Sequence, residues 1–390
     1  MNLRLPEQYL SVNCILTSNI SIAPLIHQND MKSYLKNFTS LPLLYALCCP
    51  ILLTGCASPT YYSQAAFGQL ELWTKSRSIQ EVIDDKTTST LKKKKLITAL
   101  NILEFAEEQL LLPAEGSYQA YVKLNRRHVV WNVFAAPKDS LNPKTSCFVI
   151  AGCLPYRGYF SKADANEHAR KLNKKGYDTY IAGVKAYSTL GWLNDPILST
   201  IIEREDVALA QILFHELSHQ KIYVKNDAQF NEGFAMAMAD HGAMLWATAR
   251  NTNFNSSRKN MEPELIKLVI DTKHKLNVLY SSNKSLEAKM AAKKKYFQDL
   301  ALQYRALKQN WGGENIYDNW MAEGWNNAKI LTVGTYYDYV PYFEALIKQC
   351  SPDFESLYKK VMQLSQLKVA ERREIAISFT TAQQTNTACR

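Results

Sequence analysis

The sequence predicts a mainly helical α+β protein. Apolar residues recur at helical spacing over most of the chain after about residue 60, whereas runs rich in β-branched and aromatic residues are confined to about 128–184. The segment at about 262–309 consists of two long, charged amphipathic stretches, which predict a C-terminal helical hairpin. We therefore expect a small β-sheet among a larger number of helices.

The first half of the chain alternates between these two patterns. Helices are expected from about residue 60 until Pro113 and Gly116 break the helical spacing, and again at about 161–175, where Gly176 follows as a stop. The strand candidates are His128 to Ala136, Ser146 to Ala151 and Tyr177 to Val184.

The second half of the chain is expected to be helical. Two segments at about 198–222 and 227–250 are separated by a short polar connection, and the helical hairpin is broken near residue 282. A last helical region is expected at about 339–366. No internal repeat is present in the sequence.

Composition and charge narrow the class of partner. The chain has 390 residues, of which 47% are hydrophobic and 21% charged, and these values are ordinary for a globular protein. The net charge is +10, but the lysines are dispersed, and the two clusters at 92–95 and 289–295 lie within helical patterns. Such clusters are typical of solvated helix faces, so we expect no nucleic-acid partner.

The region before residue 57 predicts a lipoprotein signal peptide. The apolar run Leu41 to Leu53, about 13 residues long, has the length of a signal-peptide core and is too short to span a bilayer comfortably. Lys32 and Lys36 precede it, and small residues lead from it to Cys56. This arrangement resembles the bacterial lipoprotein cleavage box, whose cysteine is lipidated. A buried amphipathic or signal-anchor helix is the alternative.

Domain boundaries and location follow from this resemblance. Met31 becomes the expected start, residues 1–55 a mis-started leader plus signal peptide, and residues 56–390 a single domain with helical subdomains. Lipidation at Cys56 would anchor the chain to a membrane surface without a spanning helix. Ala57 follows, which by analogy with bacterial lipoproteins favours the outer membrane, facing the periplasm.

Export also permits disulfide bonds. Cys147 and Cys153 are close in sequence and could close a small loop, with buried free thiols as an equal alternative.

The strongest motif is His215-Glu216-Leu217-Ser218-His219, which has the form HExxH. On a helix, residues four apart lie on one face, so both imidazoles can share a tetrahedral metal ion, and Glu216 can reach a water on that metal. The preceding residues are apolar, which places the histidines in the core. Because buried polar groups without a task are costly, zinc is the expected cofactor.

A third ligand is expected from the next helix. Glu232 lies 13 residues beyond His219, and a short connection would fold this helix back antiparallel to the first. Two histidines, a glutamate and an open fourth position form a ligand set of catalytic zinc sites. Asp240 and His241 are the other candidates, and a solvated glutamate favoured by the helix dipole is the alternative for Glu232.

Several stretches resemble known metallopeptidases. HELSH followed by NEGFA resembles the gluzincins, in which a second helix supplies a glutamate, although the interval between the second histidine and the glutamate is shorter here. Further stretches resemble the putative aminopeptidase family of bacterial lipoproteins: Gly68 to Leu72, Val130 to Ala136, Tyr156 to Phe160, Ala186 to Trp192 and Asn326 to Ala328. The resemblance covers about residues 56–350 and implies a zincin-like metallopeptidase domain with a small sheet beside the HExxH helix.

The activity implied is hydrolysis of a peptide substrate, most simply by an aminopeptidase, with a zinc-activated water and Glu216 as general base. Tyr187 is the first candidate for the donor that holds the oxyanion, because it lies between the last strand candidate and the metal helix. Tyr336 and Tyr337 are second, as they follow the metal site in sequence.

Substrate-binding residues are less well defined by the sequence. Arg157 could bind a carboxylate, and Asp195 and Glu323 could grip a free amine, while endopeptidase activity stays open. Ser188 lacks the glycine-flanked elbow of a serine nucleophile. A non-catalytic envelope lipoprotein with a structural zinc site is the second hypothesis, and a chance HExxH in a helical scaffold is the third. No feature of the sequence indicates an oligomeric state.

Overall fold

A computed structural model describes residues 59–148, 151–252 and 256–381, and the statements on structure that follow concern these residues. The expected leader, signal peptide and lipidation site at Cys56 lie outside the described residues.

Helices dominate the described chain and are accompanied by short strands. The helices are α1 (Pro59–Thr74), α2 (Ile79–Asp84), α3 (Thr90–Leu110), α4 (Lys162–Lys174), α5 (Ser199–Ile202), α6 (Asp206–Lys221), α7 (Ala228–Ala249), α8 (Ser256–Ser281), α9 (Leu286–Asn310), α10 (Asp318–Ala322), α11 (Asn327–Tyr337), α12 (Val340–Cys350), α13 (Phe354–Ser365) and α14 (Val369–Thr381). The strands are β1 (Ser76–Ser78), β2 (Ala120–Val122), β3 (Val130–Pro137), β4 (Ser146–Phe148), β5 (Gly152–Leu154), β6 (Tyr156–Tyr159), β7 (Tyr177–Val184) and β8 (Ile197–Leu198). The mainly helical fold class is confirmed.

The principal sheet has the order β6-β3-β7, with β3 antiparallel to both neighbours. It is the small sheet expected from residues 128–184, and β7 has the predicted bounds. Helix α4 packs against β3 and β7, and α11 also packs against these strands. Two smaller sheets, β1-β2-β8 and β4-β5, consist of strands of two or three residues, too short to leave a periodic signal in the sequence.

Two predicted helices are divided in the structure. The segment at about 198–222 contains α5 and α6, which are separated by residues 203–205. The region at about 339–366 contains α12 and α13, because Pro352 follows Ser351 and cannot continue a hydrogen-bonded helix. The hairpin of α8 and α9 lies where it was predicted.

Apolar side chains form three clusters in the described residues. The first surrounds α6 and α7 and includes residues of α3, α12 and α13; the second lies at the principal sheet with α1 and α4; the third lies among α8, α9, α10 and α11. Over the described ranges, no helix is both long enough and apolar enough to cross a membrane.

Candidate metal centre

The HExxH motif lies on α6, a helix surrounded by protein. Every residue from Leu209 to His219 is buried, so this helix is an interior element and not an amphipathic surface helix. Its helical geometry brings His215 and His219 onto one face, with their rings meeting edge to face at a centroid distance of 4.7 Å.

Helix α7 runs antiparallel to α6. Glu232 of α7 contacts His215 and His219 of α6. About one turn before His215 on α6, the Gln211 amide donates at 2.6 Å to Asp240, which lies about two turns after Glu232 on α7. The order of contacts is therefore reversed along the two helices, as the short connection predicted.

Two side chains fix the connection between α6 and α7. Asn231 clasps it from inside α7, because its side-chain oxygen accepts from the Val224 N–H at 2.8 Å and its amide donates to the Val224 carbonyl at 2.8 Å. Asp227 caps α7 by accepting from the Phe230 N–H at 3.2 Å. The neighbouring residue Glu232 is thereby held toward the histidines.

The cap residue Asp227 also forms a buried ion pair. The Arg372 Nε and Nη2 atoms donate to Asp227 Oδ2 at 3.0 and 2.7 Å, and its Nη1 donates to the carbonyls of Ser365 and Leu367. This pair attaches α14 to the start of α7.

Gly233 is required for close packing beside the site. A Cβ atom at this position would lie 2.5 Å from Cβ of Tyr339, which precedes α12. The backbone of α7 can approach this segment because residue 233 has no side chain.

The distances among the three ligand candidates fit one metal ion. His215 Nε2 and His219 Nε2 are 3.1 Å apart, and Glu232 Oε2 is 3.3 Å from the first and 3.5 Å from the second. A tetrahedral zinc ion with ligands at about 2.0–2.2 Å separates them by about 3.3–3.6 Å. The buried group His215, His219 and Glu232 can therefore hold a metal ion.

The pKa shifts of His215 and Glu232 suit metal binding. Burial lowers the pKa of His215 to about 4, despite the opposing effect of Glu232. Burial alone would raise the pKa of Glu232, but the charges and hydrogen bonds of His219 and His215 outweigh it, and the net pKa is lowered. A neutral imidazole and an ionised carboxylate are the forms that bind metals.

Glu216 is buried beside the ligand group with both carboxylate oxygens lacking a hydrogen-bond partner among the described residues. Burial raises its pKa well above the usual value, and the negative charges of Glu232 and Asp195 add to the effect. A buried carboxyl group without a partner is costly. This residue therefore needs a partner that the described part of the chain does not supply.

Asp195 orders the polar loop beside Glu216. Its Oδ2 atom accepts from the Thr189 N–H at 2.8 Å and from the Ser188 hydroxyl at 3.2 Å. Burial raises the pKa of Asp195 to about 7, although these hydrogen bonds oppose the shift. Asp195 and Glu323 were the two acids proposed to bind a substrate amine. Asp195 is close enough to Glu216 to affect its pKa. Glu323 accepts a hydrogen bond from the Tyr180 hydroxyl at 3.0 Å.

Tyr118 also lies at this site. Its backbone N–H donates to the Asp195 carbonyl at 2.6 Å, with the residue in the left-handed conformation at φ 60°. Its hydroxyl is buried near the Ser188 hydroxyl, whose hydrogen bonding opposes the rise of the Tyr118 pKa, and it has no other hydrogen-bonding neighbour among the described residues. Burial, together with the charges of Glu216 and Asp195, raises the pKa of Tyr118 well above its usual value.

The other tyrosine candidates have different surroundings. The Tyr187 hydroxyl donates to Gln69 Oε1 of α1 at 2.7 Å, and its ring packs against Phe160. The Tyr337 hydroxyl donates to Glu262 Oε1 at 2.8 Å. The side chain of Tyr336 lies outside the described part of the chain.

The remaining predicted residues occupy structural positions. Asp240 accepts from Gln211, and His241 lies 3.2 Å from the Ser351 hydroxyl, so neither belongs to the ligand group. The guanidinium of Arg157 lies 3.8 Å from the centre of the Tyr61 ring. Ser188 donates to Asp195, as described above.

Cys147 and Cys153 face each other across β4 and β5 and are joined by a disulfide bond. The hairpin is tied to the α6–α7 connection, because the Cys153 N–H donates to Asn226 Oδ1 at 2.8 Å.

A cavity of about 1380 Å³ lies beside α7 and is also lined by α8 and α14. Its lining includes Gln229, Asp240, Lys273 and Arg373, but not the ligand group or Glu216. We therefore do not assign the substrate to this cavity.

Sequence reasoning missed Tyr118, Asn231 as a clasp and Arg372. Asn231 was visible in the NEGFA stretch, but nothing in the spacing reveals a side chain that bonds back to the preceding connection. Tyr118 and Arg372 lie far from HExxH in sequence and belong to no motif.

Comparison with known proteins identifies one relation. A family model described as "Putative aminopeptidase" matches residues 60–376. No curated protein and no solved structure matches the chain.

Proposed function

Because this chain belongs to the putative aminopeptidase family, we propose that it is a zinc-dependent peptidase acting as an aminopeptidase. The observation that supports this most directly is Glu216, a buried acid with no hydrogen-bond partner in the described chain, next to three metal-ligand candidates. A structural metal site needs its ligands but has no need of a fourth, unpartnered carboxyl group.

The donor set favours zinc. Two imidazoles and one carboxylate form the three-ligand set of catalytic zinc sites, and their separations match tetrahedral ligation. A zinc ion held by His215, His219 and Glu232 would supply a Lewis acid that can polarise the scissile carbonyl and make water more acidic.

Glu216 then provides the proton transfer. Its carboxylate removes a proton from the attacking water as the water oxygen bonds to the carbonyl carbon. When the C–N bond breaks, Glu216 returns that proton to the departing amine. One water is consumed, and an amine and a carboxylic acid are released.

Tyr118 is our candidate for the donor that stabilises the oxyanion. Its buried hydroxyl is close enough to Glu216 for their charges to interact, and the Ser188 hydroxyl is its one hydrogen-bonding neighbour among the described residues, whereas the Tyr187 hydroxyl donates to Gln69. A preorganised donor in a buried site acts strongly on developing negative charge. Tyr187 stays a prediction that the same experiments can test.

We assign Asp195 a positioning role. It accepts two hydrogen bonds from its own loop, and its carbonyl accepts from Tyr118. These contacts hold the loop and Tyr118 beside Glu216. Among the described residues near the site, no acid has an evident role in binding a substrate amine. A series of substrates with free and blocked N-termini must therefore decide between exopeptidase and endopeptidase activity.

We also propose lipid anchoring at Cys56, at the outer membrane and facing the periplasm. The apolar run Leu41 to Leu53 and the small residues before Cys56 support this proposal. The mass of the N-terminal peptide from protein made in a bacterial host tests it.

The test of the enzyme combines metal content with hydrolysis. We expect one zinc per chain in both the unaltered protein and Glu216→Gln, since Glu216 is not a ligand candidate. Hydrolysis of aminoacyl and peptide substrates should fall by roughly 10²–10⁴-fold in the variant, the usual contribution of a general base. Zinc in both proteins with equal hydrolysis would favour a non-catalytic lipoprotein with a structural metal.

A pair of histidine variants tests the ligand assignment. His219→Gln should lose stoichiometric zinc, whereas His241→Gln should keep it, because His241 lies on α7 outside the ligand group. Zinc loss in both, or in neither, would contradict the proposed metal centre.

A further inference from the structure

Helix α1 carries apolar side chains on two faces, and its inner face is firmly attached to the protein. Tyr61, Ala65 and Leu72 are buried in the apolar cluster of the principal sheet. Gln69 accepts from the Tyr187 hydroxyl, and a Cβ on Gly68 would collide with the Phe160 ring. The orientation of α1 is therefore fixed by contacts on this face.

The outer face of α1 exposes large apolar side chains at helical spacing. Phe67 is 71% exposed, Leu70 is 50% exposed and Trp73 is 53% exposed. These residues follow one another at intervals of three and lie side by side on the helix surface. We call these three residues the α1 stripe. Scattered exposed apolar residues are ordinary, but a contiguous group of this size indicates a partner.

The α1 stripe lies close to the proposed anchor. Only two residues, Ala57 and Ser58, lie between Cys56 and Pro59, where α1 begins, so the two positions are at most about 11 Å apart. The helix itself is about 24 Å long. A lipid on Cys56 would therefore hold the start of α1 close to the bilayer surface, within reach of contact along the helix.

Cations outnumber acids beside the α1 stripe. Over residues 59–78 and 120–127 the sequence has five basic side chains, Lys75, Arg77, Lys123, Arg126 and Arg127, and one acidic side chain, Glu71, which pairs with Lys75 and Arg126. Arg77 pairs with Asp85, and with this acid included the seven side chains carry a net charge of +3. Pairing of β1 with β2 and the 2.8 Å ion pair between Arg126 and Glu71 bring these segments together. Exposed apolar residues bordered by cations are typical of surfaces that bind anionic membranes.

We propose that the α1 stripe lies in the interface of the bilayer that holds the Cys56 lipid. The proposal rests on the proposed anchor, and it is independent of the peptidase assignment. It gives the protein two membrane contacts, and stable membrane attachment commonly needs two. Since Gln69 joins α1 to the loop containing Tyr187, this contact would also fix the orientation of the metal centre relative to the membrane.

Quenching of Trp73 by lipid tests the proposal. The full chain, made in a bacterial host and purified in detergent, is reconstituted into vesicles of phosphatidylethanolamine and anionic phosphatidylglycerol, at about 7:3, whose acyl chains are brominated near the headgroup. The Trp73 emission, obtained as the difference between the unaltered chain and Trp73→Phe, should fall by about half or more, because an interfacial helix buries its apolar face about 5–10 Å. Trp192→Phe is the matched control, because Trp192 is similarly exposed, at 60%.

The possible outcomes distinguish membrane docking of the α1 stripe from lipid anchoring at Cys56. Unquenched Trp73 emission in a chain whose N-terminal peptide carries lipid would overturn the docking proposal while leaving the anchor intact. If the N-terminal peptide carries no lipid and the chain does not float with vesicles, both the anchor and the docking proposal are contradicted. A third outcome is that Trp73 becomes shielded from solvent in detergent without lipid vesicles, to a degree that increases with protein concentration. That result would assign the α1 stripe to contact with a second copy of the chain, and it would also overturn the proposal. Peptide hydrolysis in detergent should be unchanged by Trp73→Phe.

Discussion

Asp227 and Glu216 are both buried carboxyl residues, and their surroundings are opposite. Asp227 accepts two hydrogen bonds from the Arg372 guanidinium and one from the Phe230 N–H. Glu216 accepts none from the described chain, and its nearest acidic neighbours make ionisation harder. The described part of the fold supplies hydrogen-bond donors to the Asp227 carboxylate and none to the Glu216 carboxyl group.

The difference separates a structural acid from a functional one. Asp227 begins α7 and, through the neighbouring Asn231 clasp, helps to place Glu232 opposite the histidines. The Glu216 carboxylate accepts no hydrogen bond from a described residue, so selection for stability alone gives no reason to keep a carboxyl group there. The predictions below test this contrast by altering each kind of group.

The largest effect on stability is expected for Arg372→Met. It leaves the Asp227 carboxylate buried without its cation, and breaking a buried pair in this way costs about 3–5 kcal/mol. Urea denaturation of metal-free protein measures the change. Arg373→Met is the matched control, because Arg373 donates to Gln229 on the exposed surface and should change stability by less than about 1 kcal/mol. Equal losses in the two variants would refute a structural role specific to the Asp227 pair.

The next largest expected effect is a pH dependence of stability that is caused by Asp195. Burial raises its pKa from 3.8 to about 7, so the folded metal-free chain keeps a proton that the unfolded chain releases. This contribution to stability is complete below the unfolded pKa and is lost as pH rises through about 7. The stability of the unaltered protein relative to Asp195→Asn should thus decline between pH 4 and 7, by at most about 4 kcal/mol.

Asparagine is the suitable replacement, because its carbonyl can still accept from the Thr189 N–H and the Ser188 hydroxyl. Paired denaturation curves across this pH range supply the measurement. A difference between the two proteins that stays constant with pH would show that Asp195 is ionised in the folded state throughout.

A smaller effect is expected for Tyr118→Phe. Loss of a buried oxyanion donor should lower kcat by roughly 10–10²-fold, with stability unchanged or slightly higher because no completed hydrogen bond is removed. Tyr187→Phe should behave in reverse, costing about 1 kcal/mol through the lost bond to Gln69 while leaving kcat unaltered. Hydrolysis rates and thermal midpoints of both variants decide the assignment, and a kcat loss confined to Tyr187→Phe would restore the sequence prediction.

The parts of this protein that the sequence predicts well are governed by local periodicity. Apolar spacing predicted the hairpin of α8 and α9, and β-branched residues predicted β7 with its observed ends. The i and i+4 positions of His215 and His219 follow from helix geometry, and the short connection to Glu232 limits where α7 can lie. These features depend on neighbours in the chain.

The parts that were missed depend on contacts between distant segments. Arg372 reaches Asp227 from the far end of the chain, and Tyr118 is brought to Glu216 through the Asp195 carbonyl. Strands β1, β2 and β8 are too short for a periodic signal and exist because they pair with one another. Tyr187 was chosen for its position in the loop, and only the structure shows its hydroxyl bonded to Gln69.

The smallest expected effect is the change in stability of metal-free Glu216→Gln. Since neither carboxylate oxygen bonds to a described residue and glutamine has nearly the same volume, the free energy of unfolding should change by less than about 1 kcal/mol. The matched change at the other carboxyl group, Asp227→Asn, removes the charge that pairs with Arg372 and should cost about 3 kcal/mol or more. Denaturation of the two variants side by side measures the contrast. A large loss for Glu216→Gln would mean that its carboxyl group supports the fold, and the main argument for its role in hydrolysis would then fail.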